Sequence, residues 1–255
     1  MQSEHFIFNG IKSADMGQYL VRMQSGGIQS PFFGGQDIRE DRMKGKLTPY
    51  HFGTELNPIE FTIEISPLDD EWTPQRKNEI GRWLIHDTYK PFQTADDLGK
   101  YYYAIVTEAP NFELYGNKGF IPITFRCNSA YAFSPTYIDN FNLSANATNT
   151  IIELNNLSNI NRNYRPKIEI EIIEGTDFQI RNLSNAGEIF SFTGLNVGEI
   201  ISVDNENEII VSSLFGSNPF SKFNKNWLEL VYGTNRLEVT GKVNIWFKSC
   251  FPILQ

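Results

Sequence analysis

Apolar and polar residues alternate one by one along much of the second half of the chain. Lys167-Ile168-Glu169-Ile170-Glu171-Ile172 puts isoleucine on one side and charge on the other, the period of a strand with one dry and one wet face. Similar short segments recur at 178–180, 188–192, 199–203, 208–211, 227–231, 236–239 and 243–247. Between them stand Asn185-Ala186-Gly187, Asn196-Val197-Gly198, Asp204-Asn205-Glu206-Asn207, Gly233-Thr234-Asn235 and Thr240-Gly241-Lys242, residues that tolerate positive φ or bond their own backbone. Strands at such short intervals, with no helical period between them, predict a β-sandwich or jelly roll.

The first half is mixed. Phe6-Ile7-Phe8-Asn9-Gly10-Ile11 reads as a strand ending in an Asn-Gly turn, with 19–23 as its possible hairpin partner. Ile59-Glu60-Phe61-Thr62-Ile63-Glu64-Ile65 alternates cleanly and is stopped by Pro67. One helix is predicted over about 74–88: Thr73 can cap it, Pro74 occupies its first position, and Asp69, Asp70 and Glu71 lie at the positive end of its dipole. Ile80, Trp83 and Leu84 form its apolar stripe. Strands over 101–106 and 119–127 complete an α+β, sandwich-like unit. Ser134-Pro135-Thr136 breaks the pattern, so the expected domains are 1–134 and 135–255.

Residues 24–53 stand apart. Gly26-Gly27, Pro31 and Gly34-Gly35 precede a charge-dense run from Asp37 to Lys46. So long an irregular segment is unusual inside a compact domain, and such segments carry function or solvate freely. Two readings stand: a solvated loop, or an arm that pairs with another subunit.

With 40% hydrophobic and 14% aromatic residues in 255, the chain can build real cores. Net charge is −8, and acidic residues outnumber basic ones in both halves, 17 to 13 through Pro135 and 13 to 9 after it. A nucleic-acid grip would need a basic stripe that neither half supplies. There is no signal-like N-terminal run and no stretch of the roughly 18 apolar residues a membrane span requires, so synthesis in a cytoplasm is expected. Two cysteines, Cys127 and Cys250, are too few for a disulfide framework; buried idle thiols or a single bond between them both remain open. Four Asn-x-Ser/Thr tripeptides, at Asn142, Asn146, Asn156 and Asn182, read as ordinary Asn-rich loops.

Nothing in the sequence assigns a catalytic, metal-binding or cofactor-binding residue. His5, His51 and His86 are scattered, and nucleophile elbows, phosphate loops and zinc-protease motifs do not occur. Asp204, Glu206 and Glu208 resemble part of a calcium loop but lack its glycine and terminal glutamate, so a charged hairpin tip is expected. Trp72, Trp83, Trp227 and Trp246 lie in apolar surroundings and read as core. An exposed Trp or Tyr would instead favour sugar stacking. Paired glycosidase carboxylates have no fixed spacing in a chain, which keeps a cell-wall hydrolase as a third reading.

The order of several segments resembles the distal tail proteins (Dit) of long-tailed, siphovirus-type bacteriophages. They are the opening Phe6–Ile11 turn, the Phe61–Ile65 strand leading to a helix with Trp83-Leu84, and the run Phe125-Arg126-Cys127-Asn128-Ser129-Ala130-Tyr131-Ala132-Phe133-Ser134. Ile180-Arg181-Asn182, Phe190-Ser191-Phe192-Thr193-Gly194-Leu195, Asp204, Trp227-Leu228-Glu229-Leu230 and Tyr232-Gly233-Thr234-Asn235-Arg236-Leu237 continue it across the rest of the chain.

The resemblance implies a structural virion protein at the distal end of the tail. It would be a hexameric ring, or two rings stacked as a dodecamer, built by the N-terminal domain and carrying a galectin-like C-terminal sandwich. Its partners would be the tail tube protein, the tail-tip hub or tail-associated protein, the tape measure protein, and receptor-binding proteins or host glycans, with DNA passing through without specific binding. The arm would then add a strand across a subunit interface, with Phe32, Phe33, Arg39, Arg42, Lys44 and Tyr50 as contact residues. The alternative is a carbohydrate-binding module for host envelope glycans. The His-Asn-Arg and Trp-x-x-Glu-x-Arg sets of galectins are missing here, since Trp227 is followed by Glu229 but no matching arginine.

Overall fold

A computed structural model describes residues 5–23, 35–68, 71–95, 97–108, 113–115 and 118–254. The chain forms two compact units, Met1–Ser134 with Ile253–Gln255, and Pro135–Pro252.

In the first unit the Asn9-Gly10 pair takes positive φ at both residues, 51° and 79°. This closes a two-residue hairpin of the type whose twist suits flanking strands, joining β1 (Phe6–Phe8) to β2 (Ile11–Lys12). β3 (Gln18–Met23) follows, then β4 (Gln36–Asp41), β5 (Tyr50–Leu56) and β6 (Glu60–Pro67). After helix α1 (Pro74–Leu84) come β7 (Lys90–Thr94), β8 (Asp97–Glu108), β9 (Glu113–Tyr115), β10 (Lys118–Cys127) and β11 (Ala132–Phe133). The main sheet runs β2-β1-β7-β8-β10-β6-β3. Residues 19–23 are therefore not the hairpin partner of β1. Both edges of β1 are filled, by β2 and β7, so β3 pairs at the opposite end of the sheet, with β6 (Gln18↔Pro67).

The helix forms where expected and stops sooner. Thr73 Oγ1 accepts a hydrogen bond from the Arg76 amide, and Ile80, Trp83 and Leu84 are buried. Ile85 is extended at φ −86° and ψ 114°, which ends the helix at Leu84 rather than near residue 88. Trp83 stacks on Phe6 at 5.2 Å inside a cluster that includes Phe8, Phe61, Phe92 and Phe125.

The second unit contains β12 (Tyr137–Asn142), β13 (Asn149–Asn156), β14 (Lys167–Asn182), β15 (Glu188–Phe192), β16 (Ile200–Asp204), β17 (Ile209–Ser212) and β18 (Gly233–Ser249); β19 (Pro252–Ile253) is the last strand among the described residues. Two expected pairs of strands are each one long strand. β14 spans both 167–172 and 178–180, and β18 spans both 236–239 and 243–247. Their mutual register shifts between Ile172 and Gln179, so each strand bends there instead of turning back. Gly241 allows the bend: it takes φ +115°, and a Cβ there would stand 2.9 Å from the Asp177 carbonyl oxygen.

One half of each long strand lies with β12, β16 and β17, the other half with β13 and β15. Both halves bury side chains in a single core: Ile168, Ile170, Ile245 and Phe247 from one layer, Phe178, Ile180, Leu237 and Val239 from the other. The unit is thus a sandwich made by folding one sheet over itself. Its first and last strands are neighbours, with Tyr137 paired to Ser249. Residues 227–231, expected as a strand, form an extended segment tied down by one bridge between Leu230 and Tyr164.

Candidate functional site

The arm is ordered as a β-hairpin where it is described. Among the described residues β4 and β5 pair only with each other, from Gln36↔Leu56 to Asp41↔Tyr50, with a bulge after Arg39. Every residue of β4 is exposed, and β5 is exposed except at Gly53. Ile38 is 61% and Phe52 71% accessible, with Met43 and Leu47 open in the connecting turn. A lone two-stranded hairpin is marginal in water, so exposed apolar groups on both of its strands mark it as a surface that gains by being covered.

Arg39, Arg42, Lys44 and Tyr50 all fall on this hairpin, whereas Phe32 and Phe33 lie outside the described residues. Arg39 pairs with Glu55 across the strands, and Arg42 stands 3.8 Å from Glu40. The Lys46 ammonium sits 4.0 Å from the Tyr50 ring centroid. Only the hairpin register brings Glu55, Phe52 and Lys46 beside the others, and no local pattern in the sequence shows it.

The histidines do not converge. His5 Nδ1 is 3.3 Å from the Ser13 hydroxyl, His51 lies on β5, and His86 packs against Phe8 at 5.7 Å. Among the described residues no group of three or more His, Cys, Asp or Glu is placed to hold a metal ion. Neither Cys127 nor Cys250 is joined in a disulfide, and burial pushes the Cys127 thiol up to about 12. No helix among the described residues is long and apolar enough to cross a membrane.

The second unit holds a polar recess of about 380 Å³ lined by Arg162, Asn163, Arg165, Glu206 and Glu229. Arg165 donates to Glu229 Oε1 from Nε and Nη2 at 2.9 and 2.8 Å, and Asn163 donates to Oε2 at 3.1 Å. Burial alone would raise the Glu229 pKa, but these hydrogen bonds lower it below the usual carboxylate value. An arginine does meet Glu229, then, from a segment 64 residues earlier in the chain. These bonds clasp Asn163 and Arg165 to Glu229.

Asp204, Glu206 and Glu208 occupy the β16–β17 turn, where Asp204 accepts from the Asn207 amide at 3.1 Å and pairs with Lys167 at 2.6 Å. The asparagines of two tripeptides serve the fold: Asn156 and Asn182 are buried and bond the Leu230 and Glu229 carbonyls. Trp72 and Trp83 are core, and Trp227 is half-buried against Phe223. Trp246 departs from the expectation: its neighbours Ile245 and Phe247 fill the core, and strand alternation turns its indole to the outer face.

These features describe a mainly β protein whose distinctive surfaces are an exposed hairpin and an outer sheet face. Residues 1–129 match the family described as "Phage tail protein N-terminal domain", and residues 131–249 match "Phage tail C-terminal domain". The chain belongs to this family of phage tail proteins. It is 24% identical over 254 residues to the SPβ prophage-derived uncharacterized protein YomH of Bacillus subtilis strain 168, covering 99% of each chain. Its fold is that of the Dit protein of phage SPP1, with a TM-score of 0.72 at 15% identity over 97% of this chain and 98% of that one. That protein's structure is described as a paradigm of the hub adsorption apparatus in phages infecting Gram-positive bacteria.

Proposed function

We propose that the protein is a non-catalytic hub component at the distal end of the tail. Six copies form a ring through the N-terminal unit, joining the tail tube to the tip complex around the channel used by the tape measure protein and then by DNA. The chain is made in the host cytoplasm and built into the virion. The observation that carries this reading is the isolated β4–β5 hairpin, whose exposed Ile38 and Phe52 give one subunit an apolar projection to lay on the next. The full-length likeness to the SPP1 Dit hub protein supports it. So does the acidic balance, because a channel wall without cationic wells does not retain a passing polyanion.

Light scattering across a concentration series, alone and with the purified hub protein of the same phage, tests it. The expected species is a hexamer or stacked dodecamer of the 29.2 kDa chain. A monomer under every condition overturns the ring. Deleting Asp37–Lys46 should abolish assembly, and a deletion variant that assembles like the parent overturns the role of the hairpin.

A further inference from the structure

The outer face of the β12-β18-β14-β16-β17 layer carries a cleft of about 470 Å³ that fold stability does not explain. Trp246 is its floor. Across the strands its neighbours are Asn140 on β12 and Glu169 on β14, followed by Ser202 on β16 and Val211 on β17. The adjacent row on the same face reads Ile138, Lys248, Lys167, Asp204 and Ile209. Neighbouring strands are about 5 Å apart, so a flat aromatic ring has a carboxylate, a hydroxyl and an ammonium within one or two strand steps.

Lys167 is held by Asp204 at 2.6 Å, whereas Glu169 and Lys248 form no salt bridge among the described residues. Ile138 and Val211 flank the cleft and are largely exposed. An apolar floor with a few convergent polar groups, in this range of volume, is the make-up of a small-ligand site.

The composition selects the ligand class. A lipid tail or apolar peptide seated on Trp246 would cover Glu169, Ser202 and Lys248 without satisfying them, and a buried polar group left unpaired opposes binding. A pyranose ring offers a C–H face for the indole and a rim of hydroxyls that donate to a carboxylate and accept from an ammonium. We infer that this cleft is a carbohydrate-binding site, with one sugar ring on Trp246 and its hydroxyls bonded by Glu169, Ser202 and Lys248. The expected ligand is a bacterial envelope polysaccharide. The Arg165–Glu229 clasp takes no part, and the inference does not rest on the ring.

The test is an array of bacterial surface glycans probed with the full-length protein, followed by calorimetry with the best-retained oligosaccharide. At least one pyranose-containing glycan should be retained. Trp246→Ala should weaken it tenfold or more, Trp246→Tyr should restore most of the loss, and Glu169→Gln should weaken it severalfold. Phe215→Ala, on a different exposed loop, should change nothing. Because Trp246 points away from the core, circular dichroism and the assembled mass of Trp246→Ala should match the parent. An array with no retained glycan overturns the inference, as does undiminished binding by Trp246→Ala. A Trp246→Ala protein that stays folded but no longer assembles would mark the face as a subunit contact, which also overturns it.

Discussion

Trp83 donates its indole N–H to the carbonyl oxygen of Phe8 at 3.0 Å, tying the only α-helix among the described residues to the first strand of the sheet. The same ring stacks on Phe6 and meets Phe8 edge-on at 6.5 Å. Trp83→Ala removes a buried aromatic body and leaves the carbonyl without its donor, so the first unit should lose about 3–5 kcal/mol. Trp83→Phe should lose less, because the stacking survives. Denaturant unfolding followed by near-ultraviolet circular dichroism would check both.

Glu199 is fully buried in the second unit. Burial raises the pKa of such a carboxyl, but bonds from Ser212 and Ser217 and two from Asn196 outweigh it and lower the value from 4.5 to about 2. A folded-state pKa below the unfolded one gives stability that is complete above the unfolded value and is lost as pH falls from 4.5 towards 2. The shift corresponds to roughly 3 kcal/mol at neutral pH. Glu199→Gln should be less stable than the parent by up to about that amount at pH 7, with the gap closing towards pH 2. Equilibrium unfolding at several pH values measures it, and a gap of constant size would refute the assignment.

Gly241→Ala should destabilise the second unit by more than about 1 kcal/mol, since its φ is positive and the new methyl group would press on the Asp177 carbonyl at 2.9 Å. Gly198→Ala has positive φ but open space, so the strain acts there alone and the loss should be smaller. Thermal melts of the two variants, run side by side, separate close approach from strain.

Ile38→Ser and Phe52→Ser alter groups that no core contains. The monomer should keep its unfolding free energy within the range of ordinary surface changes, about 0.5 kcal/mol. Its assembled mass should fall. Unchanged assembly by both variants would remove the apolar side of the hairpin from the interface.

The sequence made those elements legible whose signals are local. The alternation of Lys167 to Ile172, the Thr73-Pro74 start of the helix and the Asn9-Gly10 turn each follow from neighbouring residues, and the structure has all three. Features set by distant partners were not readable. Tyr19 to Met23 was apolar enough to pair anywhere, and only the filled edges of β1 send it to β6. Thr240-Gly241-Lys242 has the composition of a turn, yet pairing with β14 across it makes it a bend in one strand.

The candidate surfaces divide the same way. Arg39, Arg42, Lys44 and Tyr50 follow from the family resemblance applied to a long charged segment, whose hairpin form stays hidden in the sequence because an exposed hairpin shows no wet and dry alternation. Trp246 reads as core in the sequence because apolar residues flank it. Its direction depends on register with Ile245 and Phe247, which one strand alone leaves open. Arg165 and Glu229 are too far apart in sequence for any local motif to join them.

The pairing of Tyr137 with Ser249 has a consequence for how such a protein can change over generations. The chain enters and leaves the second unit through adjacent strands, as an inserted cassette does, so the unit resembles a plug with both leads on one side. A recombination event that exchanged everything between those two residues would need to conserve only the spacing of two neighbouring strand ends. The plug could then be replaced wholesale while the other unit kept its sequence.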